Sequence, residues 1–121
     1  WIKKRNEIAK IYNRNLKNLP LQRPHVENNN LSSFHLYVIL LKNKKNRDGL
    51  FEFLKKKKIQ CNLHYIPLYK HPFYKKKKIN FSKFYYSELY YRKALSLPMH
   101  VNLSLSQLKY ITNCIKSFFS K

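Results

Sequence analysis

Glycine and acidic side chains are nearly missing from this chain of 121 residues, which has one Gly and five Asp or Glu against 26 Lys or Arg. A single glycine excludes the glycine-rich loops that bind nucleotide phosphates. So few acids leave no pair of carboxylates for general acid and base catalysis. The longest apolar run, residues 36–41, is much shorter than the roughly 20 residues of a membrane span. We therefore expect a cytoplasmic protein with no membrane partner.

Cysteine is also scarce, and its spacing argues against a metal site. Cys61 and Cys114 are the two cysteines, far apart in the chain and outside any CxxC pattern. The five histidines form no HxxxH or HExxH pair, so the usual zinc spacings are absent. The sequence therefore predicts two free thiols and no metal ligands.

The formal charge of +21 raises nucleic acid as a partner. However, 21 of the basic residues are Lys and five are Arg, although Arg is the better ligand for phosphates and bases. Asn, Tyr and Phe are also abundant, as AT-rich coding would produce. We interpret the lysine runs at 42–45, 55–58 and 75–78 first as solvated surface. A stand-alone basic nucleic-acid-binding module remains the alternative.

The first half of the chain alternates helix and strand patterns. Apolar residues at helical spacing predict a helix from Ile2 to Asn18, ended by Pro20. The apolar run over residues 32–41 predicts a strand covered on both faces. A charged turn follows at 42–49, with Asp48 near the start of the next helix.

The second half continues the alternation. Gln60 to His64 predicts a second strand, and prolines then make a loop. Ser82 is the expected N-cap of a tyrosine-rich helix that runs to about residue 94. After a short extended piece, Ser104 and Gln107 have the spacing of a capping box. The element order predicts an α/β fold, an α+β sandwich with helices packed on a small sheet.

The stretch NLHYIPLYKHPFY, residues 62–74, is poor in charge and rich in rings. It follows the second predicted strand, where loops often present functional groups. We predict that His64, Tyr65, Tyr69 and Tyr74 contact a sugar or a nucleotide through ring faces and hydroxyls. The alternative is that the rings pack the loop down and that His64 is a core histidine.

The tyrosine-rich helix and His35 also have both a functional and a structural interpretation. Residues 85–91 of the tyrosine-rich helix suit a stacking platform for single-stranded nucleic acid, or simple helix packing. We expect packing, because tyrosine is enriched throughout the chain. His35 lies in an apolar run, and we expect it to be structural.

Several blocks resemble a known family in order and spacing. They are HLYVI at 35–39, HYIPL at 64–68, PFY at 72–74 and LSLPMH at 95–100. Together they resemble the C-terminal part of the DegT/DnrJ/StrS family of pyridoxal-phosphate-dependent sugar aminotransferases. The resemblance runs from about residue 2 to residue 119. It is greatest to enzymes that aminate UDP-4-keto-6-deoxy-hexosamines in pseudaminic acid pathways.

This resemblance implies an aspartate-aminotransferase type fold, in which a large domain binds the cofactor and a small domain follows. Residues 1–20 would be the helix linking the two, and residues 21–121 the small domain. The lysine that carries pyridoxal phosphate would lie in the large domain, so the chain alone should be inactive. The whole enzyme would be a homodimer that transfers an amino group, typically from glutamate, to a nucleotide-linked keto sugar.

The resemblance also bears on the ring-rich loop. His64 and Tyr65 match the family block directly, and Tyr74 matches the second ring of its closing pair. Tyr69 stands where the family often has a histidine. The chain departs from the family at Lys58, where a glycine is common. The loop is therefore interpreted as one wall of the substrate cleft.

Overall fold

A small antiparallel sheet organises the protein. The computed structural model describes residues 1–75 and 80–120. Strands β1 (Leu21–Gln22), β2 (Tyr37–Leu41) and β3 (Ala94–Leu97) lie in the order β1-β2-β3. Within the β2–β3 pair, Ile39 faces Leu95 and Val38 faces Ser96. Because side chains alternate along a strand, one face of the sheet is apolar and buried, and the other presents Val38 and Ser96.

The described part of the chain also contains α-helices, and the second and fourth of them contact the sheet directly. The helices are α1 (Ile2–Asn15), α2 (Lys44–Lys56), α3 (Pro72–Lys75), α4 (Tyr85–Lys93) and α5 (Leu105–Phe119). The capping box predicted for α5 is confirmed: Ser104 accepts from the Gln107 backbone N–H, and the Gln107 side chain accepts from the Ser104 N–H. The predicted fold class is also confirmed, since helices and a small sheet form one sandwich. No helix among the described residues is long and apolar enough to cross a membrane.

The core lies between the sheet, α1, α2 and α5. Leu54, Leu95 and Ile115 are completely buried there. Tyr12 and Tyr37 are also fully buried, and burial raises the pKa of both phenols. Tyr12 donates to the Pro98 carbonyl at 2.8 Å, which joins α1 to the end of β3. Helix α1 thus belongs to the same core, and the division into residues 1–20 and 21–121 stays a prediction.

The predicted strand from Gln60 to His64 is wrong. In the described chain one residue of this segment, Asn62, pairs with β3, at Ser96. Burial alternates as in a strand, with Ile59 and Cys61 inside and Gln60 and Asn62 outside. The alternation of apolar and polar residues at these positions is the pattern on which the prediction rested. A strand also needs a ladder of backbone hydrogen bonds to a neighbouring strand.

The first predicted strand is shorter than its apolar run. It begins at Tyr37 because Phe34 has a φ of 43°, which interrupts an extended backbone. His35 precedes the strand and is exposed. The expected place of His35 within the strand is therefore wrong, and its structural role stays a prediction.

Two predicted helix starts are also wrong. The charged turn at 42–49 belongs largely to α2, whose N-cap is Asn43, with its side chain accepting from the Asn46 N–H. Asp48 lies inside the helix and binds Lys44 at 2.6 Å. Asn80, not Ser82, caps the segment before α4, because its side chain accepts from the Ser82 N–H in a short 3-10 turn.

Candidate functional site

His64 stands at the root of the ring-rich loop and is anchored to the sheet. Its Nδ1 atom lies 2.8 Å from the Ser96 hydroxyl oxygen. Beside it, the Asn62 and Ser96 backbones exchange two hydrogen bonds. The His64–Tyr65 peptide bond is cis, and the two rings meet edge to face at 4.6 Å. His64 is half-buried and lines a small pocket of about 140 Å³ together with His35.

Tyr65 and Tyr69 come together in a neighbouring groove, which we call the aromatic groove. Its volume is about 560 Å³, and its lining residues are Tyr65, Pro67, Leu68, Tyr69, Phe84, Tyr86, Ser87 and Tyr90. Tyr65 is 70% exposed, whereas Tyr69 is 8% exposed and stacks on Phe84 at 4.9 Å. The groove thus has a fixed floor and a free aromatic rim.

A charged cluster fixes that floor to α4. The Tyr69 hydroxyl donates to Glu88 Oε2 at 2.9 Å, and Lys70 Nζ donates to Glu88 Oε1 at 2.9 Å. Arg92 Nε donates to the same carboxylate at 3.1 Å. The bond from Lys70 holds the pKa of Glu88 below its usual range. Burial, then the bond to Glu88, raises the pKa of Tyr69, so the hydroxyl stays protonated as a donor.

A buried arginine lies behind this cluster. Arg47 is 2% exposed, and its guanidinium lies 5.6 Å from the centre of the Tyr91 ring. The Lys70 amine lies 5.5 Å from the centre of the same ring. Asp48 Oδ1 lies 2.7 Å from Arg47 Nε and balances its charge. These cation–π contacts join α2, α4 and the loop.

Sequence reasoning missed Glu88, Lys70 and Arg47 as parts of the site. The composition did contain an indication for Glu88, which is one of only five acids among 26 basic residues. An acid in the middle of a helix, four residues before Arg92, is placed to form an ion pair. Its contact with Tyr69 has no local pattern, because the two residues belong to separate elements.

Tyr74 lies apart from the other candidates. It is half-buried, its ring meets Phe73 edge to face at 5.1 Å, and it does not line the aromatic groove. The structure therefore brings Tyr65 and Tyr69 together beside His64 and leaves Tyr74 on α3. Contact of all four with substrate stays a prediction.

The packing expected for the tyrosine-rich helix is wrong for three of its rings. Tyr85, Tyr86 and Tyr90 are 63%, 82% and 43% exposed. The half-buried face of α4 is instead formed by Glu88, Leu89, Tyr91 and Lys93. The inner face of α4 thus combines the ion-paired Glu88 with Leu89 and Tyr91, and the other three rings of the helix lie outside.

The lysine runs do not form one continuous surface in the described chain. Lys42, Lys44 and Lys45 lie at the start of α2, and residues 55–58 lie at its end, all exposed. A helix of this length separates its ends by roughly 20 Å. The run at 75–78 falls outside the residues whose side chains are described. The exposed lysines at the two ends of α2 therefore have the arrangement expected of a solvated surface.

Both thiols are free and buried. Burial raises the pKa of Cys61 to about 12, which makes it a poor nucleophile. Among the described residues no group of three His, Cys, Asp or Glu side chains is placed to hold a metal ion.

Comparison with known proteins identifies the family. The sequence profile of the DegT/DnrJ/EryC1/StrS aminotransferases matches residues 1–116. The chain belongs to the DegT/DnrJ/EryC1/StrS aminotransferase family. The resemblance of the sequence blocks is thereby confirmed.

Relatives of this aminotransferase-family chain share about a third of its residues. An uncharacterized protein of Methanocaldococcus jannaschii is 35% identical, with 98% of this chain and 32% of the relative covered. The GDP-perosamine synthase of Vibrio cholerae is 32% identical, with 98% and 33% covered. The solved structure of Helicobacter pylori PseC, an aminotransferase of pseudaminic acid biosynthesis, is 30% identical with a TM-score of 0.85, and 98% and 33% are covered. The chain thus spans about a third of the length of these relatives.

The described residues do not fit pyridoxal phosphate. In a fold of the aspartate-aminotransferase type, a site for this cofactor would need a lysine for its aldehyde and an acid for its pyridine nitrogen. In the described chain, one groove of about 720 Å³ contains Lys10 and Lys17, another of about 600 Å³ contains Lys58, and neither is lined by a carboxylate. Lys70 does adjoin an acid, but its amine is bonded to Glu88. A cofactor site would therefore have to lie outside these residues.

Proposed function

We propose that this chain is the C-terminal part of a pyridoxal-phosphate-dependent nucleotide-sugar aminotransferase. The observation that supports this most is the family match over residues 1–116, combined with coverage of about a third of each relative. The protein would pass an amino group from glutamate to the keto carbon of a nucleotide-linked sugar. It would act as a homodimer in the cytoplasm, with the cofactor bound by the remaining two thirds.

The chain's own contribution would be one wall of the substrate cleft. Two anchors support this role: Ser96 holds His64 at the root of the loop, and Glu88 holds Tyr69 against α4. Between the anchors Tyr65 is exposed. Flat rings with hydroxyl groups suit the base or the sugar of a nucleotide sugar. Tyr74 would contribute from outside the aromatic groove.

The relatives' names indicate two kinds of sugar. One relative is a GDP-perosamine synthase, and another is an aminotransferase of pseudaminic acid biosynthesis. We propose a 4-keto-6-deoxy sugar as the acceptor, with a UDP-linked hexosamine as the first substrate to test. Association with nucleic acid should be at most weak and non-specific, whereas a basic binding module would bind DNA or RNA with a strong dependence on salt.

The test is an assay of the complete reading frame from the source DNA. The purified protein would be given pyridoxal phosphate, glutamate and either a UDP-linked or a GDP-linked 4-keto-6-deoxy sugar. We expect an amino sugar and 2-oxoglutarate with one of them, and no turnover from the 121-residue chain alone. If the complete protein aminates neither sugar and binds nucleic acid tightly in low salt but weakly in high salt, the proposal is wrong.

A further inference from the structure

Ser96 contacts the root of the ring-rich loop through its backbone N–H, its carbonyl and its hydroxyl group. It lies in β3 and is 3% exposed. Its backbone N–H donates to the Asn62 carbonyl at 2.9 Å, and its carbonyl accepts from the Asn62 N–H at 3.2 Å. Its hydroxyl oxygen lies 2.8 Å from His64 Nδ1. Backbone and side chain of one buried residue thus fix both the position of the loop and the ring that follows.

In the Ser96–His64 pair, either the Ser96 hydroxyl or His64 Nδ1 is the donor, and the need of each polar hydrogen for an acceptor distinguishes the two arrangements. If His64 Nδ1 held the proton, it would donate to Ser96, and the buried Ser96 hydroxyl would need another acceptor for its own hydrogen. Within the described part of the chain, the Ser96 hydroxyl makes no second hydrogen bond. A buried donor without an acceptor is unfavourable. The opposite arrangement, with Ser96 donating to Nδ1, pairs the Ser96 hydroxyl hydrogen with Nδ1 and leaves the remaining ring proton on Nε2, on the half-buried side chain that lines the small pocket.

We infer that Ser96 is a positioning residue that fixes neutral His64 in the tautomer with its proton on Nε2. The bond that one ring nitrogen makes determines which nitrogen is protonated. The Tyr65 ring also packs edge to face on the imidazole at 4.6 Å. A ring flip would break the bond to Ser96, so the orientation is also fixed.

The consequence is a directed N–H donor at the cleft wall. No described residue accepts from His64 Nε2, and the ring lines the small pocket of about 140 Å³. That pocket also contains the polar side chains of Gln60 and Asn62. Such a site suits one oxygen acceptor, and on the proposed function, on which this part rests, the acceptor is an oxygen of the nucleotide-linked sugar.

The tautomer itself is testable by NMR of the complete protein labelled with ¹⁵N-histidine. Long-range ¹H–¹⁵N correlations would be recorded at about pH 9, where histidines are ordinarily neutral, and His64→Gln would identify the His64 signals. We expect a protonated Nε2 and an unprotonated Nδ1 in the wild type. Ser96→Ala should shift the Nδ1 resonance because the accepted bond is lost, and Ser96→Thr should restore it.

Thr112→Val is the matched control, because it removes another fully buried hydroxyl that bonds the Lys109 carbonyl. It should leave the His64 signals unchanged. A protonated Nδ1 in the wild type would overturn the inference. An Nδ1 resonance that moves equally in Ser96→Ala and Thr112→Val would overturn it as well.

Kinetics of the complete enzyme test the donor. We expect Ser96→Ala to lower kcat/KM for the keto sugar about tenfold or more, and Ser96→Thr to recover most of it. His64→Gln keeps an N–H donor and should retain more activity than His64→Phe. Equal losses in those two variants would overturn the donor role. A wild type without transaminase activity would overturn the proposed function, and the NMR result would still decide the Ser96–His64 pair.

Discussion

Two groups of tyrosines in this molecule have opposite environments. Tyr12 and Tyr37 are completely buried, their rings lie 4.8 Å apart, and both hydroxyls are hydrogen-bonded. Tyr65 and Tyr86, on the loop and α4, are 70% and 82% exposed. Enrichment in tyrosine is thus no guide to its role. The core rings hold the fold together, and the outer rings lie exposed on the surface.

Tyr69 stands between the two groups. It belongs to the loop, but it is buried and its hydroxyl donates to Glu88. Its ring nevertheless lines the aromatic groove. One residue can therefore fix a surface and form part of it.

The largest effect that we predict is for the core group. Tyr12→Ala should lower the free energy of unfolding of the 121-residue chain by about 3–5 kcal/mol, because it leaves a cavity and removes the bond to Pro98. Urea unfolding followed by far-UV circular dichroism would measure it. Tyr85→Ala, an exposed tyrosine, is the control and should change stability by less than about 0.5 kcal/mol. Equal losses would contradict the comparison.

The second prediction uses Cys61 as a probe of the same core. In a Cys114→Ser background, iodoacetamide should modify Cys61 in the folded chain roughly a thousandfold more slowly than in urea. A pKa of about 12 leaves very little thiolate at neutral pH, and burial blocks access. Mass spectrometry over time would give both rates. Rapid modification without unfolding would show that this side of the core opens readily.

The third prediction concerns Glu88, which joins the loop to α4 through Tyr69 and Lys70. Glu88→Gln should lower stability by about 1 kcal/mol at about pH 7, since the partner cations are partly solvated. The folded pKa of Glu88 is below the ordinary value of 4.5. Its contribution is therefore fully present above that value and is lost as the pH falls through the folded pKa.

Urea unfolding at about pH 7 and about pH 3 would test this sign. The difference between wild type and Glu88→Gln should shrink at the lower pH. Glu52→Gln, which changes an exposed acid on α2, is the matched control and should have little effect. A Glu88→Gln difference that grows in acid would contradict the assigned shift.

The smallest effect on stability is expected at the rim of the aromatic groove. Tyr65→Ala should change the free energy of unfolding by less than about 0.5 kcal/mol, because the ring is mostly exposed. In the complete enzyme it should raise KM for the keto sugar about tenfold, from the loss of ring contacts. Steady-state kinetics would measure this. An unchanged KM would remove Tyr65 from the cleft wall.

Sequence patterns predicted the elements whose information is local. The apolar stripe of α1 and the capping box at Ser104 depend on residues within about four positions of each other, and both are present. The strand predicted at Gln60 to His64 is wrong. Buried and exposed residues do alternate there, but among the described residues only Asn62 pairs with a neighbouring strand. A left-handed Phe34 shortened β2, and no pattern in the apolar run indicated it.

The sequence by itself determined the family, the fold class and the loop that is our candidate for substrate contact. Only the tertiary structure decided which rings of that loop are free and which are held. The deciding contacts join distant positions: His64 to Ser96 across 32 residues, Tyr69 to Glu88 across 19, and Tyr12 to Pro98 across 86. Local periodicity and capping act within a few residues, whereas these contacts exist only after the sheet and helices have packed.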